Sequence, residues 1–68
     1  MRISFVYSTE QLETSLARGN EGGRRWLVVH CPWGQAPVET LLSVVERLYP
    51  EEKAEMLAAL GLPRADGA

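Results

Sequence analysis

Apolar and polar positions alternate through Arg2-Ile-Ser-Phe-Val-Tyr7. Ile3, Phe5 and Tyr7 fall on one side, with Arg2, Ser4 and Val6 on the other. That is the period of a strand with one dry face. The pattern then changes. Ser8 with Gln11 three residues on has the form of a helix start, each side chain able to satisfy the other's backbone N–H. Leu12, Leu16 and Ala17 follow as a narrow apolar stripe at helical spacing, and Gly19-Asn20 suits the left-handed residue that ends a helix. Glu21-Gly22-Gly23 reads as a connector, and so does the wider Gly19-Asn-Glu-Gly22.

A second strand runs from Arg24 to Cys31, with Leu27, Val29 and Cys31 on one face and Trp26, Val28 and His30 on the other. Both faces are largely apolar, the pattern of a strand covered on both sides. Pro37 suits the first position of a second helix. Val38, Leu41, Leu42, Val45, Leu48 and Tyr49 form its apolar stripe, widened by Val44, and Glu39, Ser43, Glu46 and Arg47 its wet face. Tyr49-Pro50 breaks that run, and Pro50-Glu-Glu opens a third helix that Gly61 stops, with Leu62 folding back onto Leu57 and Pro63 barring continuation.

These elements predict a small α/β domain of order β-α-β-α-α, with two strands and three helices. The domain covers residues 1–63, with 64–68 as a loose tail. A helix between the two strands makes a right-handed parallel pairing the natural connection.

Length adds an expectation about assembly. A chain of 68 residues buries only roughly 60% of its unfolded surface, a marginal amount. One cysteine rules out an internal disulfide, which leaves a partner chain as the stabiliser. A strand apolar on both faces with one neighbour also has a bare edge, and bare edges invite pairing. The expected solution is a homodimer in which each second strand pairs with its mate, extending the sheet. Trp26, Val28 and His30 on that strand, with Trp33 in the turn after it, are the expected interface residues.

Charge narrows the partners. The net charge is −2, and residues 37–62 hold five Glu against one Arg and one Lys. No basic stripe of the kind nucleic-acid binders show is present; only Arg24-Arg25 are adjacent. Nucleic acid is therefore not an expected partner. No run approaches the roughly 20 apolar residues of a membrane span, and no signal-peptide pattern opens the chain. A cytoplasmic protein with a reduced thiol is the expectation.

Candidate chemistry gathers at the junction between the second strand and second helix, which holds the sole His and sole Cys. Val29-His-Cys-Pro-Trp-Gly-Gln-Ala-Pro-Val38 resembles the Cys-based phosphatase signature: a strand ending in His-Cys, then a glycine loop, then a helix. The resemblance implies an anion held by backbone N–H groups around Gly34, Gln35 and Ala36, beside a Cys31 thiolate. It covers about ten residues and departs where that family's chemistry is most demanding. Pro37 stands where its phosphate-gripping arginine belongs, and Val38 replaces the hydroxyl residue after it. The Cys-Pro-Trp-Gly turn resembles the surroundings of a thioredoxin-type site but lacks the second cysteine. His30 and Cys31 are adjacent in a strand, so they point to opposite faces and do not form a nucleophile pair. Two divergent ligands fall short of a zinc site, and no metal or other cofactor is expected.

Cys31 is the sole catalytic candidate, and its surroundings read as those of a small buried hydrophobe. The expected function is therefore non-catalytic: a protein-interaction module, a regulator or inhibitor of a larger protein. The alternative is a small thiol enzyme or anion-binding domain using residues 31–36.

Overall fold

The structure is a computed structural model that describes residues 1–61. Its elements are β1 (Arg2–Ser8), β2 (Ser15–Glu21), β3 (Arg24–Pro32), α1 (Pro37–Val44) and α2 (Pro50–Leu60), with a single 3₁₀ turn at Val45–Arg47. The strands form one mixed sheet of order β1-β3-β2, in which β1 lies parallel and β2 antiparallel to β3. Both helices contribute to a core on one side of the sheet, and the molecule measures 19 Å along its shortest axis, the thickness of two layers.

This corrects the expected two strands and three helices. The stretch read as the first helix is a loop followed by β2, and Gly19-Asn20 lies inside that strand instead of ending a helix. Two causes are visible. Gly22 and Gly23 have φ values of 57° and 83° and form the two-residue connection between β2 and β3. Positive φ at both positions belongs to the hairpin turn whose twist matches its strands, and Asn20 Oδ1 accepts the Gly23 N–H at 3.1 Å. The second cause is Arg18. Leu16 and Arg18 share the inward side of β2, opposite Val29 and Leu27, so one inward position carries a charge and the strand's alternation is hidden.

Arg18 can point inward because α2 supplies its counterion. Its Nε donates to Glu52 Oε2 at 2.7 Å and its Nη2 to Glu52 Oε1 at 2.8 Å, a two-pronged grip. Nη2 also reaches the Arg47 carbonyl at 2.8 Å, and the guanidinium lies 5.0 Å from the centre of the Tyr49 ring. Glu52 is 1% exposed and also accepts the Tyr49 N–H at 2.9 Å, closing the first turn of α2. The hydrogen bond from Arg18 outweighs desolvation and, with help from the Tyr49 N–H, holds the Glu52 carboxyl below its ordinary pKa; the same bond raises that of Arg18.

The core joins Leu27, Val29 and Cys31 of β3 to Val44, Leu48 and Met56, with Ile3, Phe5, Leu16, Leu41 and Leu60 packed around them. The second predicted helix is shorter than expected and turned on its axis. Thr40 and Val44 are buried, whereas Val38, Leu42 and Tyr49 from the expected stripe are exposed. Thr40 can occupy the inside because its hydroxyl has acceptors there, including the Ala36 carbonyl at 3.2 Å. Leu48 and Tyr49 are extended ahead of Pro50, as the residues before a proline favour. Helix α2 ends at Gly61. The expected Leu62 contact, the Pro63 stop and the tail at 64–68 lie outside the described residues.

The dimer argument through β3 is overturned. Both edges of β3 are occupied, by β1 from Arg2↔Trp26 to Ser8↔Pro32 and by β2 from Ser15↔His30 to Glu21↔Arg24. β3 therefore has no free edge on which a mate could extend the sheet.

Candidate functional site

At its C-terminal end, β3 enters a turn in which the Gln35 N–H meets the Pro32 carbonyl at 3.2 Å, and the Trp33 N–H meets the Ser8 carbonyl at 3.1 Å. The Gln35 side chain points inward. Its Oε1 accepts the Thr14 hydroxyl at 2.6 Å and lies 3.1 Å from the Thr40 hydroxyl, which sits 3.7 Å from Cys31 Sγ. Cys31 is fully buried, and its thiol lies 3.8 Å from its own strand's Val29 carbonyl. The lone catalytic candidate is thus a core residue closed over by Thr40, with His30 on the far face of the sheet.

The anion candidates Gly34, Gln35 and Ala36 do adjoin the start of α1. The Gln35 amide is engaged in the network just described. Pro37 brings no N–H, and Glu39 places a negative charge in the helix's first turn, where a bound anion would meet it. What this network does is fix a loop, and the loop carries Trp33.

The expected interface residues separate into two places. Trp26, Val28 and His30 lie on the helix-free face of β3, in rows with Arg2 and Gly19, Ser4 and Ala17, and Val6 and Ser15. A Cβ at Gly19 would collide with the Trp26 ring, so the indole packs closely against the Gly19 backbone. Trp33 stands apart, 72% exposed on its loop.

Sequence reasoning assigned three further apolar residues to buried stripes. Leu12 is 88% exposed, Leu42 70% and Val38 50%. Leu12 belongs to the loop whose Gln11 N–H bonds the same Ser8 carbonyl that holds Trp33. Val38 is the second residue of α1, close after the Trp33 loop, and Leu42 lies one turn further on the same side. Exposed acids flank each of them: Glu10 and Glu13 beside Leu12, Glu39 beside Val38, and Glu46 a turn beyond Leu42. Arg47 is tied back to the Thr14 and Ser43 carbonyls, each at 3.1 Å. The Gly22-Gly23 hairpin was the available signal, since placing β2 correctly puts Leu12 in a loop.

Among the described residues no group of three or more His, Cys, Asp or Glu side chains is placed to hold a metal ion, and no helix is long and apolar enough to cross a membrane. Compared with known proteins, the chain matches no family model, no curated protein and no solved structure.

Proposed function

We propose that this protein is a non-catalytic interaction module, a regulator or inhibitor that docks on a larger protein through the end of the domain bearing Leu12, Trp33, Val38 and Leu42. One observation carries the reading: four large apolar side chains, each at least half exposed, stand on two loops that meet at Ser8 and on the helix leaving one of them. Single exposed apolar residues are ordinary, but a group of them marks an interaction site. Tryptophan held on a fixed loop is the kind of anchor that dominates binding energy, because little side-chain freedom is lost on docking. Glu10, Glu13, Glu39 and Glu46 define the other half of the match. The partner surface is an apolar pocket with lysine or arginine at its rim. A cytoplasmic setting suits the unpaired Cys31.

The test places a photo-crosslinking residue at position 42, and in a second variant at Lys53, in the cells that make the protein. The reading expects one discrete adduct with a larger protein from position 42, weakened by Trp33→Ser and absent from position 53. Equal adducts from both positions, or an adduct with a second copy of this chain alone, would refute it.

A further inference from the structure

At the opposite end of β3 the surface is shaped differently. An open cleft of about 640 Å³ is lined by Arg2, Glu21, Gly22, Arg24, Arg25 and Trp26. Three arginines face one glutamate there, in a chain whose net charge is −2. Arg25 lies 3.6 Å from Glu51, both half exposed, a weak surface pair. Among the described residues neither Arg2 nor Arg24 forms an ion pair, although Glu21 lies across the hairpin from Arg24. The two are gathered by the sheet itself: Arg2 is the register partner of Trp26, and Arg24 lies two residues before Trp26 on the same face. Nothing in the fold calls for two unpaired guanidiniums beside one indole.

We propose that this cleft binds a nucleoside phosphate. The phosphate lies between Arg2 and Arg24, whose planar forks match its oxygens and whose positive charges oppose its negative ones. The base stacks on Trp26. That indole packs against the Gly19 backbone on the helix-free face of the sheet, which fixes the ring there. A fixed aromatic ring beside a phosphate-gripping arginine is the arrangement that binds bases without hydrogen-bond readout. The volume falls within the roughly 300–1,000 Å³ of small-molecule sites. The site is separate from the apolar end proposed for docking, and neither reading depends on the other.

The experiment uses the full chain with Trp33→Phe, which leaves Trp26 as the sole tryptophan and its fluorescence as the signal. Adenosine 5′-monophosphate should quench it saturably. Adenosine should bind about tenfold more weakly for want of the phosphate contacts, and inorganic phosphate should leave the emission unchanged. Arg24→Gln and Arg2→Gln, both at exposed positions, should each lower the affinity for the monophosphate about tenfold at an unchanged circular dichroism spectrum, while Lys53→Gln should not. Absence of saturable quenching would overturn the proposal. So would adenosine binding as well as its phosphate, inorganic phosphate alone giving the full response, or arginine variants that bind like the parent.

Discussion

β3 is one strand with two unlike faces. Leu27, Val29 and Cys31 have no exposed surface, roofed by Val44, Leu48 and Met56. Trp26, Val28 and His30, each one residue away, face a side without helices and remain half-buried. The strand's apolar character is similar on both sides; its cover is not. On the bare side shelter comes from within the sheet, where Trp26 packs over Gly19 and the other row neighbours include the small Ser4, Ser15 and Ala17. Two apolar faces therefore do not require two covering layers. A large ring laid over a glycine removes much of its own surface from water.

The sharpest way to break this comparison is to truncate both faces. Leu27→Ala should lower stability by about 3–4 kcal/mol, as loss of a fully enclosed leucine does, whereas Val28→Ala should lose about 1 kcal/mol in urea denaturation. Equal losses would mean that the bare face is covered after all.

The covered face also depends on its one charged member. Arg18→Ala would leave the Glu52 carboxylate buried with only the Tyr49 N–H, at a loss of about 2–3 kcal/mol, discounted from a fully enclosed pair because Arg18 is partly exposed. The same contact predicts a pH dependence. Glu52 has a lower pKa folded than unfolded, so its contribution is complete above the ordinary carboxylate range. It is lost as pH falls through the depressed folded value. Thermal melts should show the parent losing stability on acidification more steeply than Glu52→Gln. A variant that follows the parent curve would remove Glu52 from the account.

On the bare face the sensitive contact is Trp26 on Gly19. Gly19→Ala forces the ring to swing away, costing about 1–2 kcal/mol and shifting Trp26 emission to longer wavelength in the Trp33→Phe background. Unchanged emission would show that the ring does not rest there. The smallest effect belongs to the exposed end: Trp33→Ser with Leu42→Ser should change stability by less than about 0.5 kcal/mol per site. A larger loss in the same melts would show these side chains to be part of the core.

How much of this was legible in the sequence varies by element. β1 follows from alternation, β3 from its apolar run and the start of α2 from Pro50-Glu-Glu, because in each case the local pattern suffices to name the element. β2 was hidden because its second inward position is Arg18, acceptable only because of Glu52, 34 residues later in the chain. A window of local periodicity has no access to such a partner. The same holds for α1, where counting apolar residues put Leu42 inside and left Thr40 unassigned. The hydroxyl's acceptors, supplied by Gln35 and Ala36, reverse that choice. Of the candidate site, Trp33 was visible as an aromatic between Pro32 and Gly34. Leu12 was hidden by the missed second strand, and Val38 and Leu42 by the turn of α1 that buries Thr40.

Cys31 adds one more consequence. A single thiol with no exposed surface is a clock for the opening of the native state. A thiol reagent reaches it only when the helix layer lifts from β3, and one cysteine per chain makes the reaction a single exponential. Where reclosing outruns modification, the ratio of the protected rate to that of an unfolded control gives the free energy of opening directly. Repeating the measurement on Arg18→Ala would reveal whether the ion pair latches that layer. A latched layer would speed modification by the full stability difference, about 30- to 160-fold for a loss of about 2–3 kcal/mol. If the layer instead lifts locally while the pair stays closed, the rate would not change.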